Sequence, residues 1–411
     1  MVGFVYTQLK KSRDFSSVTC KDVAMERYIS KIIEEFSTKK MVFLAGPRQI
    51  GKTTVAKRWL ELHGGLYLNW DSAADRTRIL KQSFLESPKP ALILDEIHKY
   101  PRWRNYLKGL YDKDGARFRL LVTGSARLDY YRRGGDSLFG RYELLRLHPI
   151  SIGEVSHGTL SPPPSDWLIP GEIQVNLGAW DRLQNFGGFP EPYFTADHRQ
   201  HSRWSLRRRE LLIKEDLRDV SDIKLVELVE HLYLLLPERV GGPLSINSLK
   251  EELQVAFNSV ASWIEILERL YICFRISPFH RKLARSLKKE RKLYLWDWSQ
   301  VKEHGARFEN IVASHLLKST HAWTDMGFGE YQLHYWRNKE KEEVDFIITK
   351  DREPIVAIEC KYSDPSPSPS LLKLSSVLRI PAIQLVADSG VDRFGQNFRV
   401  VSAPKFLANL V

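Results

Sequence analysis

Short apolar runs alternate with longer segments of mixed polarity over the first 150 residues. The longer segments, such as 71–84 and 103–111, have the length of helices, whereas each apolar run has the length of one strand. The apolar runs lie at 41–45, 65–69, 91–94, 118–123 and 142–147. Because apolar strands without polar alternation are typical of a parallel sheet buried on both faces, the pattern predicts an α/β domain whose sheet is covered by helices.

The middle of the chain has a different pattern. An arginine-rich helical segment at 198–220 precedes a segment, 244–279, whose apolar spacing fits two short helices separated by a turn and then a strand. A strongly basic stretch at 280–292 leads into a second strand. Two helices followed by a hairpin with a basic tip predict a winged helix, which either contacts DNA or packs only against its own protein.

The last pattern begins near residue 299. A helix is predicted at 307–318, and strands are predicted at 331–337, 343–349, 355–361 and 383–387, with a proline-rich loop at 364–370. The changes of pattern divide the chain into an extension at 1–25 and three segments. These segments are 26–195, 196–298 and 299–411.

Composition excludes several classes of protein. With 43% hydrophobic and 27% charged residues over 411 positions, the chain is neither disordered nor fibrous. Its three cysteines, Cys20, Cys273 and Cys360, form no CxxC pair, so a disulfide framework and a zinc site are not expected. No apolar run reaches the roughly 18 residues of a membrane span, and the N-terminus lacks the apolar core of a signal peptide. We therefore expect a cytoplasmic protein without a membrane partner.

The charge is strongly basic. The chain has 62 lysines and arginines against 50 acids, a net charge of +12, with an isoelectric point near 9.4. Such an excess favours a polyanionic partner, of which nucleic acid and anionic lipid are the two main kinds. If the partner is DNA, the protein is expected to be associated with the nucleoid.

A phosphate-binding motif follows the first predicted strand. The segment fits G-x-x-x-x-G-K-[ST], in which backbone N–H groups and a helix N-terminus bind phosphate. In this motif Lys52 reaches the β- and γ-phosphates of ATP, and the hydroxyl of Thr53 is a ligand of Mg²⁺. The alternative is a glycine turn with an incidental lysine. The nucleotide-binding candidates are Gly46, Pro47, Arg48, Gln49, Ile50, Gly51, Lys52, Thr53 and Thr54.

Two later strands add candidates for the chemistry. The run at 91–94 ends in Asp95, a candidate Mg²⁺ ligand, and Glu96, which is placed to polarise the attacking water. Thr123 ends the run at 118–123 and offers a hydroxyl near the γ-phosphate. Arg141 is a candidate to stabilise charge on a neighbouring subunit's nucleotide, with Arg127 as its rival and a plain surface arginine as the alternative to both.

These motifs resemble a known family. GPRQIGKTT, YLNWD, LILDEIHK, LVTGSAR, SLFGRYELLRLHPIS and GGFPE are similar to segments of AAA-type ATPases of archaea and bacteria that carry a C-terminal domain of unknown function. The resemblance covers nearly the whole chain. It implies a RecA-like P-loop ATPase core at 26–195, a helical and winged-helix domain at 196–298, and a restriction-endonuclease-like α/β domain at 299–411. It also implies a homo-oligomeric ring, most often a hexamer.

A second set of candidates lies in the last domain. Asp345, Glu359 and Lys361 form D-x₁₃-E-x-K, the arrangement of PD-(D/E)xK nucleases, and Glu309 on the preceding helix is the additional acid usual in that fold. The order of residues also resembles that of archaeal Holliday-junction resolvases. Two carboxylates can hold Mg²⁺ while the lysine orients water. The motif is loose, so a silent version that binds DNA without cutting it is the alternative.

The basic stretch supplies candidate DNA contacts, which would position the nucleic acid rather than read its sequence. Arginines at 203–209 belong to the same class, and a solvated hairpin tip and helix face are the alternative for both. The candidate DNA-binding residues are Arg281, Lys282, Arg285, Lys288, Lys289, Arg291 and Lys292.

Three functions remain open from the sequence. The first is an ATP-driven motor that remodels duplex or branched, Holliday-junction-like DNA. The second is an ATP-gated nuclease in repair or defence, with the D-x₁₃-E-x-K residues as its output. The third is a non-catalytic signalling or scaffold ATPase, which needs neither the charge nor the nuclease pattern.

Overall fold

The computed structural model describes residues 25–86, 90–115, 117–124, 138–158, 161–169, 171, 173–217, 226–280, 290–388 and 390–411. Nearly all of the predicted N-terminal extension lies outside these residues, and so does Arg127. No helix in the described part of the chain is long and apolar enough to cross a membrane.

The first sheet contains five parallel strands in the order β2-β3-β4-β1-β5. The strands are β1 (Met41–Ala45), β2 (Gly65–Asn69), β3 (Ala91–Asp95), β4 (Arg119–Thr123) and β5 (Tyr142–Arg146). Helix α1 (Ser30–Ser37) precedes β1, and the helices between the strands are α2 (Lys52–His63), α3 (Ala73–Lys81) and α4 (Trp103–Asp114), with short 3₁₀ turns at Ser83–Glu86 and Ile97–Lys99. The predicted α/β fold with a parallel sheet is confirmed.

The central strand β1 shows why both faces are covered. Met41, Phe43 and Ala45 point into one apolar cluster, together with buried residues of α3 and α4. Val42 and Leu44 point into a second cluster, together with residues of α1 and α2. Successive side chains of a strand point to opposite faces, so an uninterrupted apolar run requires a core on each side.

A helical region follows the first sheet. Its helices are α5 (Ile152–His157), α6 (Leu177–Phe186), α7 (Pro190–Thr195), α8 (His198–Leu211), α9 (Val226–Leu235), α10 (Ile246–Leu253) and α11 (Phe257–Arg269). Helix α8 begins where the Asp197 carboxylate accepts a hydrogen bond from the Gln200 N–H at 2.8 Å, and it continues into a π-helical turn at Leu212–Asp216. A 3₁₀ turn at Leu236–Arg239 ends α9. The region thus places several helices next to the loop after β1.

The hairpin predicted after α11 is present, but it does not stand alone. Strand β6 (Cys273–Pro278) pairs with β7 (Lys292–Leu295) in antiparallel fashion and also pairs with a strand of the last domain. The result is an eight-stranded sheet in which β6 and β7 lie at one edge. Its strands therefore come from both sides of residue 298.

The rest of that sheet comes from the last segment. Its elements are α12 (His304–Asp325), β8 (Tyr331–Arg337), β9 (Glu343–Lys350), β10 (Glu353–Lys361), α13 (Pro369–Leu378), β11 (Ala382–Val386), β12 (Asp392–Phe394), β13 (Phe398–Ser402) and α14 (Ala403–Leu407), after a 3₁₀ turn at Trp298–Gln300. Helix α12 begins where Glu303 accepts a hydrogen bond from the Gly305 N–H at 2.8 Å. Most side chains of α12 are buried, because this helix lies between the last sheet and the ATPase-like sheet.

One apolar core joins the first and last parts of the chain. It runs from Tyr28 through the loop residue Ile50 to Phe308 on α12 and Phe406 on α14. The backbone also packs closely here, since a side chain at Gly153 of α5 would place its Cβ 2.4 Å from the carbonyl oxygen of Leu410. The two sheets are therefore held together by close packing rather than by a linker.

A buried ion cluster reinforces this junction. The Glu154 carboxylate accepts a hydrogen bond from Arg27 Nε at 2.8 Å and another from the ammonium of Lys318 on α12. Burial alone would raise the pKa of Glu154, but Arg27 and Lys318 lower it to about 2. Arg27 also donates to the carbonyl oxygen of Ile50 at 3.0 Å. The cluster thus connects the loop after β1 with helix α12.

Candidate functional site

The loop between β1 and α2 has the form that phosphate binding requires. At Gly46 the backbone has φ of +149°, and a Cβ there would lie 2.4 Å from the carbonyl oxygen of Leu147. Gly51, with φ of +98°, is the N-cap of α2. Only glycine fits the first position without a steric clash, and the second strongly favours it. The loop therefore ends at a helix N-terminus whose free N–H groups attract anions.

The side chain of Lys52 folds back over the loop and binds its backbone. Its buried ammonium donates hydrogen bonds to the carbonyl oxygens of Gly46 and Pro47, each at 2.7 Å. Burial lowers the pKa of Lys52 to about 8, while Glu96 and Asp95 act in the opposite direction. The ammonium is thus held inside the loop, next to the backbone groups that would surround a phosphate.

The other loop residues predicted from the motif have separate places. Ile50 is fully buried, Thr54 is exposed on the first turn of α2, and Gln49 has a left-handed backbone with φ of +65°. Arg48 points away from the loop, because its guanidinium pairs with Asp216 Oδ1 at 2.5 Å and with Glu215 Oε2 at 3.3 Å. The π-helical turn after α8 is therefore attached to the loop by charge.

The Asp95 carboxylate accepts hydrogen bonds from hydroxyl groups on three elements. Its Oδ2 accepts hydrogen bonds from Thr53 at 3.2 Å and from the Tyr67 hydroxyl at 2.6 Å, and its Oδ1 accepts one from Thr123 at 2.5 Å. The strand order brings these groups together, because β3 lies between β2, which carries Tyr67, and β4, which ends in Thr123. Oxygen ligands of this kind suit Mg²⁺, so Thr53 and Asp95 fit the predicted metal role.

Glu96 stands just outside the strand. Its backbone is left-handed, with φ of +57°, and its carboxylate lies 3.6 Å from Nζ of Lys99 and 3.6 Å from Nε2 of His98. Burial raises the pKa of Glu96; Lys99 opposes that shift and Asp95 adds to it. The position beside Asp95 suits a group that polarises water.

The other two predicted catalytic residues, Thr123 and Arg141, each bind an acid of the same chain. Thr123 is fully buried and bonded to Asp95, as given above. Arg141 forms a two-point ion pair with Asp112 of α4, with distances of 2.6 and 3.1 Å. A role for Arg141 at a neighbouring subunit would require this pair to open.

The predicted nuclease residues also lie together. Glu309 on α12, Asp345 on β9 and the pair Glu359 and Lys361 on β10 lie close together where β9 begins and β10 ends, in the middle of the second sheet. Lys361 Nζ lies 3.0 Å from Glu359 Oε1, and the Asp345 N–H donates to Glu359 Oε2 at 3.4 Å. Burial and Asp345 raise the pKa values of Glu309 and Glu359.

Lys292 is not where the sequence predicted it. As the first residue of β7 its side chain is only 1% exposed, and its ammonium lies 2.6 Å from Glu343, 3.0 Å from Asp345 and 3.3 Å from Glu309. Burial alone would lower the pKa of Lys292, but these carboxylates raise it. A surface DNA contact by Lys292 is therefore wrong. Arg291 is half-buried, and Arg281, Lys282, Arg285, Lys288 and Lys289 lie outside the described residues.

The arginines of α8 divide into two groups. Arg199, Arg203 and Arg207 are exposed and recur every four residues, so they form one stripe along the helix. Arg208 is buried over the ring of Phe189, and Arg209 pairs with Glu230 at 3.4 Å. Only the stripe is available to an external partner.

Sequence reasoning missed Tyr67 and the pairing of Arg48 with Asp216. Tyr67 lies in the motif YLNWD, but its contact with Asp95 depends on β2 being the neighbour of β3.

Among the described residues, no group of three or more His, Cys, Asp or Glu side chains is arranged to hold a metal ion. The acids at the second sheet are therefore assembled without the geometry of a metal site.

Comparisons with protein-family models divide the chain into three parts. Residues 38–156 match an AAA domain, residues 178–302 match a domain of unknown function (DUF8612), and residues 304–406 match another (DUF4143). An uncharacterized protein of Mycobacterium tuberculosis is 21% identical over 94% of this chain and 85% of its own length. An uncharacterized protein of Methanocaldococcus jannaschii is 23% identical over 70% of this chain and 65% of its own length.

Two solved structures illustrate the structural comparison. The RuvB Holliday junction branch migration motor of Thermotoga maritima matches with a TM-score of 0.31 and 16% identity, over 60% of this chain and 88% of that one. The ORC1 protein of Aeropyrum pernix in complex with DNA matches with a TM-score of 0.30 and 15% identity, over 67% and 86%. TM-scores this low carry no argument about this chain.

Proposed function

We propose that the protein binds ATP with Mg²⁺, hydrolyses it, and acts on DNA, because residues 38–156 match an AAA domain. The observation that carries the first part is the contact between Thr53 and Asp95, at 3.2 Å, across the ends of β1 and β3. A loop lysine, a loop threonine and a strand-end acid that meet in this way are the parts that phosphoryl transfer needs.

Each residue has a defined task in this proposal. The N–H groups of the loop bind the phosphates, and Lys52 leaves the carbonyls of Gly46 and Pro47 to pair with them. Thr53 and Asp95 hold Mg²⁺, which neutralises phosphate charge when it is bound. Glu96 orients and polarises the attacking water.

We expect Glu96→Gln to bind ATP with nearly unchanged affinity and to hydrolyse it more slowly by about 10² to 10⁴-fold, the range for loss of a general base. The amide keeps the shape of the side chain but cannot take a proton, and Asp95 and Thr53 are untouched. Fluorescent-nucleotide binding and phosphate release measure the two effects. Glu61→Gln, on the exposed face of α2, is the control. A variant that binds no ATP, or that retains the parental rate, would show that Glu96 has another role.

The proposed action on DNA is supported by the excess of positive charge and by the position of three exposed arginines. The net charge is +12, and three exposed arginines form the stripe on α8. The predicted winged helix adds no net positive charge for DNA binding, because residues 244–279 contain three lysines and arginines against four glutamates. The stripe, together with the basic stretch at 280–291 without the buried Lys292, is therefore the best-supported contact for a phosphate backbone.

We expect the triple change Arg199→Gln, Arg203→Gln and Arg207→Gln to weaken DNA binding. The slope of log K against log salt should become shallower by up to about three units, since each lost phosphate contact removes nearly one. A fluorescence-anisotropy titration on duplex and four-way-junction DNA at several salt concentrations measures this. Changing Lys31, Arg76 and Lys81 to Gln removes equal charge from exposed sites elsewhere. Equal effects of the two triples would refute the assignment of the stripe.

Phosphate release measured with and without DNA distinguishes a motor from a scaffold. A motor on duplex or branched DNA predicts ATP turnover that DNA stimulates, whereas a scaffold ATPase predicts turnover that DNA leaves unchanged. We extend the proposal to a ring-forming homo-oligomer, in which Arg141 exchanges Asp112 for a neighbour's nucleotide. The nucleoid-associated location of the protein belongs to this same proposal.

A further inference from the structure

Three elements meet at the carboxylate cluster of the second sheet. Lys292 from β7 lies at its centre, with Glu309 of α12 and with Glu343 and Asp345 of β9 around the ammonium. The three distances, 3.3, 2.6 and 3.0 Å, are those of hydrogen-bonded ion pairs. An ammonium has three N–H donors, and here each has one carboxylate acceptor.

A divalent cation would need the same oxygen atoms. A metal site of the nuclease kind takes its ligands from acids such as Glu309 and Asp345, at about 2.0 to 2.6 Å from the ion. One oxygen of each of these acids already accepts a hydrogen bond from Lys292. A second cation in the same ring of oxygens would be repelled by the ammonium at close range.

Two further hydrogen bonds engage the same acids. Asp345 Oδ2 accepts one from the Cys360 N–H at 2.9 Å, and Glu309 Oε1, the oxygen that faces Lys292, also accepts one from the Tyr294 hydroxyl at 2.6 Å. The backbone at Gly241, where φ is +81°, covers Glu309, since a Cβ there would lie 3.0 Å from Glu309 Oε2. The residues present therefore do not fit a divalent cation as they stand.

We propose that Lys292 is a built-in counter-ion that occupies the place of the divalent cation in a nuclease-like site. The acids then join β7, α12 and β9 as a structural centre, and this domain does not cleave phosphodiester bonds by metal-assisted hydrolysis. The inference is independent of the proposed function, because the ATPase loop lies on the other sheet. It favours the silent form of the domain over the ATP-gated nuclease that the sequence left open.

The test is Mn²⁺ binding by the full-length, nucleotide-free chain, followed by electron paramagnetic resonance. The wild-type chain should show no Mn²⁺ site that Asp345→Asn removes. Lys292→Met, which keeps much of the stem and deletes the ammonium, should gain one such site, and the added Asp345→Asn change should abolish it. Lys361→Met is the matched control, because Lys361 also pairs with a carboxylate but is 41% exposed, and it should gain none.

Two results would overturn the proposal. One is an Mn²⁺ site in the wild-type chain that is lost on Asp345→Asn, and the other is a folded Lys292→Met chain that takes up no Mn²⁺. If Lys292→Met fails to fold, the wild-type chain decides the matter through a second measurement. Incubation of linear duplex and four-way-junction DNA with wild-type and Asp345→Asn protein in Mn²⁺ should give no cleavage that depends on Asp345, and such cleavage would contradict the proposal.

Discussion

Lys52→Ala is expected to lower the rate of ATP hydrolysis by about 10³-fold or more, the scale on which a single cationic group acts in phosphoryl transfer. The variant loses the only described ammonium inside the loop, and its nucleotide affinity should fall as well. The fold should survive, because the hydrogen-bond partners of Lys52 are two carbonyl oxygens of one loop and no apolar core residue is changed. Steady-state phosphate release and a nucleotide titration measure the two effects.

A matched control is available on the same helix. Arg58→Ala removes one positive charge from an exposed position of α2 and should leave both measurements unchanged. A folded Lys52→Ala chain that turns over ATP at the parental rate would refute the proposed nucleotide site. A rate lost equally in Arg58→Ala would point to the helix rather than to the ammonium.

Glu154→Gln is expected to cost about 3 to 5 kcal/mol in the free energy of unfolding, the usual loss when one partner of a buried ion pair is removed. The side chain of Glu154 is fully buried, and Arg27 and Lys318 would be left without their carboxylate. Chemical denaturation at neutral pH measures the change. Glu143→Gln is the control, because Glu143 pairs with Lys40 at the surface and such pairs contribute about 1 kcal/mol or less.

The pH dependence of stability distinguishes this carboxylate from the others. Because the pKa of Glu154 is lowered to about 2 in the folded chain, its stabilisation is fully present above about pH 4.5 and is lost as the pH falls towards 2. The Glu154→Gln chain should lack that part of the acid-side slope. Identical slopes in the two chains would show that folding does not shift the pKa of this carboxylate.

The contrast between Lys52 and Lys292 shows what the sequence could and could not predict. The role of Lys52 depends on a strand, a loop and a helix that adjoin one another in the chain, and local patterns were enough. Lys292 ends a run of basic residues and was grouped with them, although β7 begins at this residue and turns its side chain inward. Its carboxylate partners come from elements 17 and 53 positions later, so no local pattern could assign them.

The contacts of Tyr67 and Arg48 also join residues that are distant in the sequence, so local patterns could not predict them. Tyr67 reaches Asp95 only because β2 lies beside β3, and Arg48 meets Asp216 only because the helix after α7 returns to the loop. Among the α8 arginines, the sequence predicted a basic helix but could not separate Arg208, which is buried, from the exposed stripe. That separation depends on which face of α8 packs against Phe189.

The apolar core that continues from Tyr28 to Phe406 has a mechanical consequence. Densely packed interiors do not slide without opening voids, so the two sheets move as one rigid body. A displacement driven by nucleotide must then arise in an element that is tied to the loop by polar contacts alone. In the π-helical turn at Leu212–Asp216, only the ion pair between Arg48 and Asp216 meets that condition, because Leu212 and Ile213 belong to the same apolar core.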